Sequence, residues 1–128
     1  MRHEVLMEMS LDDLDRYAKA CGIDVTGEKT RERKVEVIEG RRGRTVDVNV
    51  LGLIVTVPKR RLHDQRVADL MRGTLTDEDA ATVMTLLLGE EQYDAVIDRC
   101  TDEDGTVDVE AIGMAFVSLV GDPELKNY

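Results

Sequence analysis

The chain has no tryptophan, one phenylalanine and three tyrosines in 128 residues, so any core must be built from aliphatic side chains and methionine. Proline occurs twice, at Pro58 and Pro123, which leaves long stretches without the residue that breaks helices. No apolar run approaches the roughly 20 residues that a membrane-spanning helix needs. The first residues, interrupted by Glu4 and Glu8, lack the apolar stretch of a secretory leader, so cytoplasmic residence is expected. Two cysteines, Cys21 and Cys100, and two histidines, His3 and His63, are present, with no Cys-x-x-Cys pair. A zinc centre is not expected, and the thiols read as buried and free rather than as a disulfide. Phosphate-loop and dinucleotide fingerprints are missing, and neither histidine stands in a nucleophile pattern. The many carboxylates are accounted for by helix caps and solvated faces. No catalytic residue, cofactor or metal ligand is expected, and the protein reads as a non-enzyme.

What is there is charge and helical periodicity. Hydrophobic residues make up 42% and charged residues 34%, proportions that suit a helical protein with an aliphatic core. The net charge of −10 is uneven: residues 1–61 hold 13 Lys/Arg against 11 Asp/Glu, and residues 62–128 hold 4 against 16. Phosphate would be repelled by the acidic half, which excludes non-specific nucleic-acid binding there.

Three parts are expected: a module over residues 1–43, a larger domain over 44–121, and a flexible tail over 122–128. In the first, Ser10 can cap a helix bearing Leu11, Leu14, Ala18 and Cys21, which Gly22 ends. Ile23-Asp24-Val25 reads as extended, and Thr30 can cap a second helix carrying Val35 and Ile38. His3 falls in an expected mobile terminus. After the basic joint RRGRT, the run TVDVNVLGLIVTVP alternates as strands do. Pairing about a two-residue turn at Leu51-Gly52 sets Val50 opposite Leu53, Val48 opposite Val55 and Val46 opposite Val57. Leucine suits a primed turn poorly, so a longer loop or a bulge is a competing expectation. A valine-faced ribbon is not stable alone and must pack on helices.

Those helices are legible in the rest of the chain. One carries Val67, Leu70 and Met71. A second has Thr76 as N-cap, Asp77, Glu78 and Asp79 at its positive end, apolar residues from Ala80 to Leu88, and Gly89 as a left-handed cap. A third carries Tyr93, Val96, Ile97 and Cys100 at i, i+3, i+4 and i+7. A fourth, capped by Asp108, sets Val109, Ile112, Phe116, Leu119 and Val120 on one side and stops at Gly121 and Pro123. The fold class expected is α+β, mainly α: an N-terminal helix-extension-helix, then a β-hairpin packed on a bundle of about four short helices.

Two segments invite functional readings. Asp102-Glu103-Asp104-Gly105 resembles part of a calcium loop, but with Gly105 at position 6 the first and last ligand positions fall on Cys100 and Ala111, leaving too few oxygens. A solvated acidic turn is expected instead. Lys29, Arg31, Arg33, Lys34, Arg41 and Arg42, with Arg44, form the basic cluster. Glu28, Glu32, Glu36 and Glu39 interleave with it, so residues 28–44 carry only +3 and protein contact or packing outweighs nucleic acid.

The segment LDDLDRYAKACGIDVTGEKTRERKVEVIEGRR resembles SAP-like helix-extension-helix modules, which often bind DNA. Residues 86–112, LLLGEEQYDAVIDRCTDEDGTVDVEAI, resemble the helical core of phage tail assembly chaperones: a Leu-rich helix ending at Gly, a Glu-Gln-Tyr helix, an acidic Gly-containing loop, then Val-Glu-Ala-Ile. With the strand pair closed by Val-Pro, the likeness spans about residues 46–120. It implies a host-cytoplasmic protein, not part of the mature phage or prophage virion, whose partner is the tape-measure protein, with the tail-tube protein a second. Such chaperones are often also made in a longer, frameshifted form; codons for Lys126-Asn127 could supply the slippery run, so a longer form of the same chain is a further expected partner. On this basis Leu70, Met71, Met84, Leu88, Met114, Phe116 and Leu119 are the candidate partner-binding residues, since thioethers and aliphatic chains repack around varied apolar clients. The alternative is a small DNA-associated accessory or regulatory protein using the basic N-terminal module.

Overall fold

Ser10, Thr30, Asp64, Thr76 and Asp108 each precede a helix and accept a backbone N–H from its first turn, at 2.8–3.3 Å. Thr76 and Asp79 close a full capping box. These caps fix most helix starts in a computed structural model that describes residues 1–126. The fold is α+β, mainly helical, with one antiparallel strand pair among the described residues. The chain divides into two compact units, Met1–Arg44 and Thr45–Tyr128.

In the first unit, α1 (His3–Glu8) packs on α3 (Arg31–Arg42), as does α2 (Leu11–Ala20). The core is Leu6, Leu14, Ala18, Ile23, Val25, Val35 and Ile38. Ile23 and Val25 are buried from the extended link, which Gly22 enters at φ +77°. Helix α1 corrects the expected mobile terminus. It is too short and uncapped to show as a periodic segment, yet it buries Leu6 and brings His3 against Glu39. Leu11, expected on the inner face of α2, is 41% exposed.

In the second unit, β1 (Thr45–Val50) and β2 (Leu53–Pro58) pair in the register the valines dictate, Val46 to Val57, Val48 to Val55 and Val50 to Leu53. There is neither a bulge nor a longer loop. Leu51 takes φ +53° and Gly52 φ +83°, the conformation of a primed turn. Leucine is held there because its side chain packs on the core, Asn49 accepts the Gly52 N–H at 2.9 Å, and Arg99 donates to the Leu51 carbonyl at 3.1 Å. The strain is thus stabilised by neighbours rather than by the residue's own preference.

A 3₁₀ turn (Lys59–His63) follows, then α4 (Gln65–Met71), α5 (Asp77–Leu88), α6 (Glu90–Arg99) and α7 (Val109–Val120). The valine face of the hairpin is buried, with β1 packed on α7 and β2 on α5 and α6. Gln92 on α6 caps the open edge of β2: its carboxamide accepts the Thr56 N–H at 2.8 Å and donates to the Thr56 carbonyl at 2.9 Å. A side chain thereby pairs with backbone groups that would otherwise template another strand.

Gly89 joins α5 to α6 alone. Its φ of +79° and ψ of +165° differ from the expected left-handed cap and lie in a region essentially closed to other residues. The tail expected to be flexible over 122–128 is partly structured: α8 (Pro123–Lys126) forms a helical turn and Leu125 is fully buried. Asp122 accepts the Leu125 N–H at 3.0 Å and fixes that turn. Asn127, in the Lys126-Asn127 pair singled out for frameshifting, and Tyr128 lie outside the described residues.

Candidate functional site

Helix α7, VEAIGMAFVSLV, has one charged residue and is apolar nearly all round. Only one side of it can face the core. Ala115 and Leu119 are fully buried there, while Val109, Met114 and Val117 are 59%, 61% and 67% exposed. The outward stripe runs through Val109, Gly113 and Val117, at i, i+4 and i+8, beside half-buried Ile112 and Phe116.

This stripe forms one wall of a cleft of about 320 Å³. Leu75, Thr76, Asp77, Ala80 and Ala81 at the start of α5 form the opposite wall, and Tyr93 of α6 reaches the same space. Ala80, Ala81 and Gly113 keep it open because they carry almost no side chain. A Cβ built on Gly113 meets nothing within 4 Å, so the space beside it is empty rather than tightly packed.

The sequence-named apolar residues separate accordingly. Phe116 lines the cleft. Met114 is exposed one residue from Gly113, and Met71 is 40% exposed at the end of α4. Leu70 is half-buried and packs on the core. Met84, Leu88 and Leu119 are interior at 0%, 3% and 0% exposure. Those three cannot contact a partner without unfolding, because their helix faces point at the hairpin and at one another. Val109, Gly113 and Val117 were the residues missed. Their signal was the absence of a polar side on α7, since a helix apolar all round has a second face to cover.

The basic residues of the first unit do not form one available surface. Lys34 is 4% exposed; its ammonium donates to Asp15 at 2.6 Å and to the Val25 carbonyl at 2.9 Å. Arg33 lies between Glu28 and Glu36, at 3.4 and 3.1 Å. Arg31 donates to the Met9 carbonyl at 3.0 Å. Arg42 donates to the Cys21 sulfur at 2.9 Å and lies 5.5 Å from the Tyr17 ring centre. Lys29 and Arg41 stand exposed. Lys34 is thereby removed from the candidate nucleic-acid contacts, for it is the ion at the centre of its own unit's packing.

The acidic turn is closed on itself. Asp102 N–H donates to the Thr106 carbonyl at 2.7 Å, and the Asp104 carboxylate accepts the Thr106 N–H at 2.9 Å. The hydrogen bonds from Thr106 hold the Asp104 carboxyl below the usual range. Burial, with Asp108 nearby, pushes the Cys100 thiol up, which makes it a poor nucleophile. Among the described residues no group of three or more His, Cys, Asp or Glu side chains is placed to hold a metal ion, and no helix is long and apolar enough to cross a membrane.

Comparison with protein-family models, with curated proteins and with solved structures finds no match to this chain.

Proposed function

We propose that this protein is a phage or prophage tail assembly chaperone that binds the tape-measure protein and keeps it soluble in the host cytoplasm until tail-tube subunits polymerise around it. The observation that carries the reading is the open apolar cleft beside α7. It is built by α5, α6 and α7; the end of α5, all of α6 and the start of α7 fall in the stretch LLLGEEQYDAVIDRCTDEDGTVDVEAI that resembles such chaperones, and with them the cleft residues Tyr93, Val109 and Ile112.

The chemistry of the cleft suits capture without catalysis. Its walls are mainly aliphatic and aromatic, so most of the free energy of binding comes from removing apolar surface of both partners from water, roughly 25 cal/mol per Å². A short groove gives a weak contact on its own. Many copies along one long helical client would hold it through multivalency. The acidic surface around the cleft keeps the loaded complex soluble. Gln92 and Tyr93, two of the three residues of the Glu-Gln-Tyr element, have separate work in this scheme: Gln92 seals the hairpin edge and Tyr93 reaches the cleft.

Co-expression with the tape-measure gene of the same genome tests the proposal. The expected outcome is tape-measure protein in the soluble fraction only when this chain is present. An unchanged insoluble fraction would count against it. The DNA-associated alternative is weaker, because four of the six named bases are engaged within their own unit. A salt-dependent gel shift by the full chain, lost on neutralising Arg31 and Arg33, would revive it.

A further inference from the structure

We infer that the occupant of the cleft is a cationic amphipathic helix, one whose apolar stripe is flanked by Lys or Arg. The inference rests on the chaperone reading for the helical nature of the client and adds the chemistry of the segment bound.

Two observations lead there. The first is shape. Small residues, Ala80 and Ala81 on one wall and Gly113 on the other, leave room beside the larger apolar side chains of Ile112, Phe116 and Val117. A groove of this kind accepts a ridge of larger side chains from a facing helix. The 12 residues of α7 extend roughly 18 Å, which sets the contact at about three turns of a partner.

The second is charge. Helices α5, α6 and α7 carry eight carboxylates and one basic residue, Arg99. That guanidinium is committed to the carbonyl of Leu51 at the hairpin turn, at 3.1 Å. Asp77 lines the cleft itself, and Glu110 sits one turn before Gly113 and Met114 on α7. Residues 45–128 as a whole hold 7 Lys/Arg against 17 Asp/Glu. A second copy of this chain would bring the same acidic helices against one another, so self-association through this face is opposed by like charge. A neutral helix satisfies the walls but leaves the rim unpaired. Only a helix with basic flanks meets both.

The full chain, titrated by fluorescence anisotropy with labelled designed peptides of about 18 residues, gives the test. One peptide carries a Leu/Ala stripe with Lys flanks and the other the same stripe with Glu flanks. The Lys peptide is expected to bind at least about tenfold more tightly, with the preference shrinking as salt rises. Gly113→Leu fills the cleft without changing any charge and should weaken the Lys peptide by about tenfold or more, with no fall in melting temperature. The double variant Val109→Ser/Val117→Ser alters two exposed positions and should act in the same direction.

Equal affinity for the two peptides would overturn the inference. So would Lys-peptide binding that survives both variants, since it would then be adhesion to the acidic surface at large. Concentration-dependent self-association abolished by Gly113→Leu would assign the cleft to a second copy and overturn it too. If the peptides fail while co-expression still solubilises the tape-measure protein, the cationic-helix inference falls and the chaperone reading stands. If the peptides bind as expected and co-expression fails, the reverse holds.

Discussion

Residues 1–44 hold ten basic and ten acidic side chains, whereas residues 45–128 hold seven and seventeen. The neutral unit engages much of its charge internally: Lys34 with Asp15, Arg33 with Glu28 and Glu36, His3 with Glu39. The acidic unit covers the valine face of its hairpin and then leaves an apolar helix face and the cleft beside it open. Uncompensated negative charge and unburied apolar surface therefore occur in the same unit. That pairing suits a binder, because the charge that opposes self-association also selects an oppositely charged client.

The contrast between buried and open apolar residues in the acidic unit gives the largest expected effects. Leu119→Ala or Met84→Ala empties a fully buried site and should cost about 3 kcal/mol in chemical denaturation. Met114→Ser or Val117→Ser, at exposed positions of α7, should change stability by less than about 0.5 kcal/mol. Comparable losses for all four would mean that α7 has no free face.

In the neutral unit the corresponding test is Lys34→Ala. It leaves the Val25 carbonyl without its donor and Asp15 without its cation, although Asp15, 33% exposed, regains some water. A loss of about 2 kcal/mol is expected, with reduced amide protection across residues 1–44. Unchanged protection there would show that Lys34 is not the centre of that unit's packing.

Two glycines of the acidic unit should respond with opposite sign. Gly89→Ala forces a side chain into φ +79°, ψ +165° and should destabilise by about 1.5 kcal/mol. Gly113→Ala adds a methyl group to open space in a helix interior and should stabilise by about 1 kcal/mol. Thermal denaturation of the two variants reads both signs at once. A loss at Gly113 would mean that the space beside it is already filled.

The smallest effect concerns the exposed His3–Glu39 pair. The hydrogen bond that the ring donates to Glu39, followed by the carboxylate's charge, raises the imidazole above its ordinary 6.5. Because the folded value is the higher one, the pair's stabilisation is complete below about pH 6.5 and is lost as pH rises through the raised value. An NMR titration should place the His3 midpoint above that of the unfolded chain and return it in Glu39→Gln. An unmoved midpoint would leave α1 held only by Leu6 and its apolar neighbours.

Much of this fold was legible because local chemistry and long-range packing agree. Alternating valines can bury one face in only one register, and Ser10, Thr30, Thr76 and Asp108 each announce a helix start. What stayed hidden depended on tertiary context. Six residues of α1 carry no cap and too few turns to show periodicity. Leu125 beyond Pro123 looked like a tail residue until its burial was visible. Lys34 looks the same in sequence whether it faces water or Asp15. Helix α7, apolar on both sides, offers no pattern that says which side turns inward, so Leu119 reads like Phe116 although only Phe116 reaches the cleft, and on α5 Met84 and Leu88 face the interior instead.

Amide chemical-shift mapping of the full chain, titrated with a soluble helical segment of the tape-measure protein, tests the central claim most directly. Perturbations should concentrate on residues 75–81 and 109–117 and vanish in Gly113→Leu. Shifts confined to residues 1–44, or a pattern in 109–117 that persists when the cleft is filled, would contradict it.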